Sequence, residues 1–251
     1  MTLALPARAK LNLDLAVIGR RDDGLHDLHT HMESIDLHDL LEVEAADQTS
    51  LSVSGLDVPA AAGNTVLLAQ KALEATVGRP LPAKLTLHKR IPPGSGLGGA
   101  SSDAAAALRA LVAIHCLDVD LRAVAPLVGA DVTFFVRGGS ALIEGAGERV
   151  TPAAATRGWF AVAWPGIELS TAAVYRAWDE VKGDGANQLR RAAGRVDQRI
   201  DAFAERLGPG WQMTGSGSAF FRICARHEEA VAATGELECW TAVAQGVGAW
   251  A

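Results

Sequence analysis

Residues 92–103 read Pro-Pro-Gly-Ser-Gly-Leu-Gly-Gly-Ala-Ser-Ser-Asp, so four glycines and four hydroxyl or carboxyl side chains fall within twelve positions. Leu85-Thr86-Leu87-His88-Lys89 precedes this stretch and alternates like a strand. The alanine- and leucine-rich run 104–113 follows it and has the composition of a helix. A strand, a glycine loop and a helix start together make an anion site. Glycine lets the backbone approach a ligand closely, and the helix start presents unpaired N–H groups at the positive end of its dipole. Phosphate is the usual occupant of such a place. The question the chain poses is which phosphate compound is held, and what is done to it.

Composition narrows the answer. The chain has 251 residues, enough for one large domain or two modest ones, and 49% of them are hydrophobic. The formal net charge of −6 comes without a basic stripe, which argues against a nucleic-acid partner. Cys116, Cys224 and Cys239 are odd in number and far apart, with no Cys-x-x-Cys. Neither a disulfide framework nor a zinc knuckle is expected, and a reducing cytoplasm fits best. Arg8 and Lys10 interrupt the first apolar run, so no signal peptide is read there. No segment approaches eighteen uninterrupted apolar residues, so no membrane span is expected.

The pattern predicts one or two strands over 3–18, a turn at 20–24, strands at 28–36, 39–45 and 51–54, and a loop over 55–63. Asn64 is placed to cap a helix through about Val77. After the glycine loop and its helix come a shorter helix at 121–128 and a break at Gly129-Ala130-Asp131. Two short strands follow, punctuated by 138–139 and 145–147. The second half reads as a strand at 159–164, helices over 171–181 and 187–207, a second glycine cluster at 214–218, a strand at 219–224, a helix at 227–234 and a strand at 239–243. Strands cluster first and mix with helices later, an α+β pattern in two lobes, 1–152 and 153–251.

Several constellations carry chemistry. Gly94-x-Gly96-x-x-Gly99 satisfies the dinucleotide fingerprint, with Asp118 or Asp120 about twenty residues on. That fingerprint normally opens the first unit of its domain, however, and here it lies beyond residue 90. No Gly-Lys-Ser/Thr is present, so a Walker loop is excluded. Lys10 and Asn12 share one strand face, with Leu11 and Leu13 on the other; Lys10 is either an exposed edge lysine or a charge directed into a cleft. Asp131 is either a turn residue or the acid partner of Lys10, and a Lys–Asp pair beside a phosphate suits phosphoryl transfer. His29 and His31 share a strand face with Glu33, yet no convincing metal set completes them. They read better as exposed strand histidines, and His26, just past the turn, is better placed to face a ligand.

Five pieces in one order resemble the GHMP kinases over about residues 6–224: Pro-Ala-Arg-Ala-Lys10-Leu-Asn12-Leu, Arg20-x-Asp22-Asp23-Gly24-x-His26, residues 93–103, Gly129-Ala130-Asp131-Val132, and residues 214–218. Within that superfamily the spacing is similar to the members acting on a cytidine diphosphate sugar alcohol. The resemblance implies a two-lobed α+β fold, with a ribosomal-protein-S5-like N-terminal lobe that binds ATP and a ferredoxin-like C-terminal lobe that binds substrate. It implies transfer of the γ-phosphoryl of ATP, with Mg²⁺, to the 2-hydroxyl of 4-diphosphocytidyl-2-C-methyl-D-erythritol in non-mevalonate isoprenoid synthesis. Lys10 and Asp131 would be the catalytic pair. Pro93, Gly94, Ser95, Gly96, Leu97, Gly98, Gly99, Ala100, Ser101 and Ser102 would wrap the ATP phosphates, with Asn64 and Lys89 near the nucleotide. Asn12 and His26 would face the cytidyl substrate, His26 at the cytosine edge. Thr171 and Tyr175 would meet the substrate and stack on its base, and Gly215, Ser216 and Gly217 would close the cleft.

The chain departs from the family pattern at Leu25, where an aromatic is frequent, and at Thr133, where a proline is usual. It is also short between Asn187 and Pro209. A monomer or homodimer is expected. The alternatives are another GHMP small-molecule kinase, a non-catalytic nucleotide-binding regulator on the same fold, and a dinucleotide oxidoreductase.

Overall fold

The computed structural model describes residues 2–57, 60 and 62–250. Residues 58, 59 and 61 of the expected 55–63 loop, and the end residues 1 and 251 of the expected lobes, lie outside the described residues. The first half runs β1 (Thr2–Asn12), β2 (Ala16–Arg20), β3 (His26–Ala45), β4 (Ser50–Gly55), α1 (Thr65–Val77), β5 (Ala83–Lys89), α2 (Gly99–Ile114), α3 (Leu121–Val128), α4 (Ala130–Arg137), β6 (Ser140–Gly145) and β7 (Arg149–Pro152). The second half runs β8 (Trp159–Trp164), α5 (Thr171–Val181), α6 (Arg190–Val196), α7 (Arg199–Leu207), β9 (Gln212–Met213), β10 (Phe220–Cys224), α8 (His227–Gly235) and β11 (Trp240–Gln245).

β3 organises the first sheet. It pairs antiparallel with β1, β2, β5 and β6, and β4 adds in parallel to β5, giving seven strands with the path β4-β5-β3-β6-β7. The sequence suggested two strands here, with a break near Leu37-His38. The polar run instead continues as one 20-residue strand. A bulge in β1 between Arg8 and Lys10 absorbs the change of register. The break expected at Gly129-Ala130-Asp131 is also narrower than read: only Gly129 separates α3 from α4, and Asp131 lies in the first turn of α4. A carboxylate there is favoured by the helix dipole.

Helices α1 to α4 cover one face of this sheet. Val66, Leu73, Leu108, Val124 and Phe134 pack with Leu41, Val43, Leu85 and Leu87 of β3 and β5. The second sheet has the order β11-β8-β10-β9 and is wholly antiparallel. α5, α6 and α7 pack on it through Val174, Trp178, Ala192, Ile200 and Phe203, and Leu15 and Val17 of the first half join the same cluster. β8 is apolar throughout, as a strand covered on both faces must be.

The two sheets share a core. Ala9, Leu11 and Ile35 from the first sheet meet Phe160, Val162, Phe221 and Ala244 from the second, and Leu97 of the glycine loop is buried among them. Beyond β11 the chain crosses back to the first half, with bridges Ile35–Gly246 and Gly138–Ala249. No helix among the described residues is long and apolar enough to cross a membrane.

A buried ionic triad fixes the start of the glycine loop. Lys89 Nζ donates to Asp39 Oδ2 and, at 2.7 Å, to Asp103 Oδ2. Asp39 Oδ1 accepts from the backbone N–H groups of Arg90 and Ile91 at 2.5 and 2.8 Å. The end of β5, the interior of β3 and the N-terminal part of α2 are therefore tied to one ammonium. Burial alone would lower the Lys89 pKa, but the two adjacent carboxylates outweigh it and raise it. Two carboxylates and one ammonium leave an excess negative charge out of water, and Asp103 Oδ1 has no hydrogen-bond partner. Burial, with Asp39 nearby, pushes the Asp103 carboxyl up to about 8 against the pull of Lys89.

Two predictions follow from this architecture. Phe221→Ala empties the shared core and lowers unfolding stability by about 3–5 kcal/mol. Denaturant unfolding should remain a single transition, because the two sheets lose the same packing. For Asp103, the folded pKa lies above the unfolded one, so its contribution to stability is complete below about pH 4 and is lost as pH rises through about 8. Melting curves should show native stability falling relative to Asp103→Asn between about pH 4 and about pH 8. Parallel pH profiles for the two proteins would contradict the assignment.

Candidate active site

The loop between β5 and α2 is held by its own backbone and by the second half of the chain. Gly96 and Gly98 have φ of 80° and 76°, in the left-handed region. Space makes the same demand. A β-carbon on Gly96 would lie 2.5 Å from Thr214 O, and one on Gly98 would lie 2.7 Å from the Phe135 ring. Ala219 N donates to Ser95 O at 2.8 Å and Leu169 N to Gly94 O at 3.1 Å. These bonds stitch the glycine loop of the first half to segments of the second.

Lys10 lies at the centre of this seam and is 3% exposed, so it is not an edge lysine. Its Nζ donates to Asn12 Oδ1 and, at 2.5 Å, to Gly96 O. Burial lowers its pKa, while the Asp131 carboxylate nearby opposes the shift. Asn12, 2% exposed, donates from Nδ2 to Thr30 Oγ1 at 2.8 Å, and its backbone N–H donates to Thr214 Oγ1 at 2.8 Å. Its amide is thus committed to holding Lys10. Gly215 closes over both: a β-carbon there would lie 2.8 Å from Lys10 Nζ and 3.2 Å from Asn12 Oδ1. Asn187 secures this second turn by donating to Met213 O and Gly215 O at 2.7 and 2.9 Å.

These elements enclose a cavity of about 580 Å³. Lys10, Asn12 and Asp131 line it, as do Pro93, Gly94, Ser95, Gly96, Gly98, Gly99, Ala100 and Ser101. Asn64, Thr65 and Lys89 contribute from α1 and β5, and Thr171, Tyr175, Gly215 and Ser216 from the second half. Two helix starts face the space. Asn64 caps α1 by accepting from Val66 N at 3.0 Å, and Thr65 Oγ1 donates to Ala100 O at 2.8 Å, which joins the start of α1 to that of α2. Exposed N–H groups at two helix starts, a buried ammonium and a carboxylate suit a polyphosphate and an alcohol acceptor.

The structure places four of the singled-out residues away from the cavity wall. Leu97 turns its side chain into the shared core. Ser102, 2% exposed, donates to Gly99 O at 2.9 Å on the far side of α2. Gly217 packs against Met213 and Leu169. His26 stands behind Tyr175, its ring stacked at 4.9 Å between centroids, with Nε2 at 2.8 Å from Asp179 Oδ1. Lys89 is at the wall but held by Asp39 and Asp103. Leu25 is exposed. Burial raises the pKa of the Tyr175 hydroxyl, and the Asp131 charge adds to that. His29 is exposed, whereas His31 is half-buried, 2.6 Å from Ser140 Oγ. No cluster of three or more His, Cys, Asp or Glu fit for a metal occurs among the described residues.

Sequence reasoning missed Thr65, Asn187, Asp39 and Asp179, and it gave Thr214 no role of its own within the 214–218 cluster. Thr65 adjoins a residue already singled out. Asn187, Asp39 and Asp179 are lone polar residues whose partners are distant in sequence, and no local pattern announces them.

Comparison with known proteins agrees with this geometry. Residues 64–139 match the GHMP kinases N terminal domain. The chain is 44% identical over 182 residues to a 4-diphosphocytidyl-2-C-methyl-D-erythritol kinase of Alcanivorax borkumensis, a match covering 70% of this chain and 60% of that protein. It is 37% identical to the kinase of the same name from Thermus thermophilus, across 93% of this chain and 92% of the relative. A crystal structure of 4-(cytidine 5'-diphospho)-2C-methyl-D-erythritol kinase superposes with a TM-score of 0.79 at 33% identity, over 98% of this chain and 100% of the other. Identity at this level along nearly the whole chain removes the dinucleotide-oxidoreductase reading of the glycine loop, and the chain belongs to the 4-diphosphocytidyl-2-C-methyl-D-erythritol kinase family of the GHMP kinases.

Proposed function

We propose that the protein transfers the γ-phosphoryl group of ATP to the 2-hydroxyl of 4-diphosphocytidyl-2-C-methyl-D-erythritol. The observation that carries this reading is the convergence of Lys10 and Asp131 on the cavity wall beside Gly96. The two are distant in sequence and come from different elements, β1 and α4. The relatives' shared name supports the choice of acceptor. In this reading residues 1–152 supply most of the nucleotide site and residues 153–251 most of the acceptor site, in the cytoplasm.

Phosphoryl transfer needs little covalent help from a protein; it needs positioning and charge. The amides of Gly96 to Ser101 receive the β- and γ-phosphates at the start of α2. Lys10, held by Asn12 and by Gly96 O, faces the transferring group and balances the negative charge that gathers on it. Asp131 orients the acceptor hydroxyl and takes its proton. Tyr175, stacked on His26, offers a flat wall for the pyrimidine, and Thr171, 3.0 Å from Ser216, joins α5 to the turn that closes over Lys10.

Mg²⁺ fits this site. Mg²⁺ accompanying a nucleotide is held by one or two carboxylates together with phosphate oxygens. The cavity wall offers Asp131 and also Asp103, whose Oδ1 is buried and unpartnered. Either carboxylate, with the Ser101 hydroxyl, would hold the ion, which neutralises phosphate charge when bound.

The test is ADP release with purified protein and ATP, varying the acceptor. Turnover should require 4-diphosphocytidyl-2-C-methyl-D-erythritol; equal or faster turnover with mevalonate or homoserine would assign another kinase, and none with any alcohol would indicate a nucleotide-binding regulator. Asp131→Asn and Lys10→Met should each lower kcat by about 100-fold or more, with ATP binding by calorimetry changed only a few-fold. Near-normal turnover of Asp131→Asn would refute its role as base.

A further inference from the structure

α4, the helix that carries Asp131, has eight residues. A helix this short is marginal by itself, so its ends depend on what they meet. Its N-terminal side has no side-chain cap. All four carbonyls of its last turn, in contrast, have partners. Phe134 O accepts from Gly138 N at 2.7 Å. Phe135 O accepts from the Trp250 indole N–H at 3.1 Å, Val136 O from Arg109 Nη1 at 3.2 Å, and Arg137 O from Trp250 N at 2.9 Å. Two of the four donors come from Trp250, more than a hundred residues away in sequence.

Trp250 is also held against β1, the strand that carries Lys10. The Arg8 guanidinium lies 3.9 Å from the Trp250 ring centroid, and Arg8 Nη1 donates to Gly248 O at 3.0 Å. The Arg109 guanidinium of α2 lies 4.7 Å from the same ring. Arg8 is two residues from Lys10, on the same strand across its bulge. One indole therefore touches the strand bearing the ammonium, the helix bearing the carboxylate, and the helix that opens at the phosphate loop. Phe135 completes the chain of contact: its backbone carbonyl meets the indole while its ring packs over Gly98, where Lys10 Cγ also approaches.

We propose that Trp250 is a positioning residue for the transfer, fixing α4 against β1 so that Asp131 and Lys10 keep their mutual placement. The proposal rests on the reading of those two residues as the reacting pair. Trp250 is not part of the cavity wall, so its removal acts on the rate step through α4 and leaves ligand contacts in place. Misplacement of a reacting group by a fraction of an ångström is enough to slow a step that depends on alignment.

The experiment combines Trp250→Ala, Trp250→Phe and Asp131→Asn, each in the full chain. Trp250→Phe keeps a ring beside the two guanidinium groups and removes the indole donor, which guards against a variant that fails to fold. The expected result is a fall in kcat of about tenfold for Trp250→Ala and about threefold for Trp250→Phe, with KM for ATP and for the acceptor within twofold. Measured on the residual rate of Asp131→Asn, with labelled ATP, Trp250→Phe should add no further loss, because its effect passes through the carboxylate already removed. An unchanged kcat in both Trp250 variants, or an equal fractional loss in the Asp131→Asn background, overturns the proposal while leaving the catalytic pair intact. Near-normal turnover of Asp131→Asn overturns the pairing itself, and the positioning role with it.

Discussion

A buried ammonium between two glycine turns is the constraint around which the site is arranged. Lys10 is almost wholly removed from water, and an unpaired charge there would be strongly destabilising. Its hydrogen bonds to Asn12 and to Gly96 O supply part of the compensation, and the nearby Asp131 charge supplies another. Each of those groups must then be held in turn. Asn12 is fixed by Thr30, Gly96 by its contact with Thr214, and Gly215 by Asn187. The requirement to satisfy one ammonium thus draws together β1, the phosphate loop, α4 and the turn before β10.

The same arrangement explains why the two halves are welded rather than hinged through an open linker. The loop from β5 to α2 is bonded on one side to the Lys89 triad of the first half and on the other to Leu169 and Ala219 of the second. Leu97, inside that loop, is buried in the core the two sheets share. Its apolar side chain anchors the loop from beneath while the backbone on either side faces the cavity. The glycines give the loop its shape, and the leucine gives it a fixed height above the sheets. Residues 246–250 add a second tie by returning to β3 and α4.

Much of this was legible in the sequence because it is local. The glycine loop, the Asn64 cap and most strands announce themselves within a few residues. The resemblance to GHMP kinases implies one site for Lys10, Asp131 and the second glycine cluster. What was not legible depends on partners far apart in sequence. The polar run around Asp36 to Asp39 reads as a break, yet the strand continues because Asp39 is needed inside, beneath Arg90 and Ile91. The resemblance implies Lys89 near the nucleotide; it stands at the cavity wall, with its ammonium held by Asp39 and Asp103. His26 reads as a ligand-facing ring, and Asp179 on α5 holds it behind Tyr175. Ser102 reads as one more loop hydroxyl, but α2 has already begun, and the helical turn carries it to the far face.

The central claim is that one carboxylate and one ammonium flank the point of transfer. A crystal structure with a non-hydrolysable ATP analogue and 4-diphosphocytidyl-2-C-methyl-D-erythritol tests it most directly. The account predicts the γ-phosphate between the Gly96–Ser101 amides and Lys10 Nζ, with the acceptor 2-hydroxyl about 2.6–3.2 Å from an Asp131 oxygen. A triphosphate bound away from that loop, or an acceptor hydroxyl separated from Asp131 by another side chain, would contradict it.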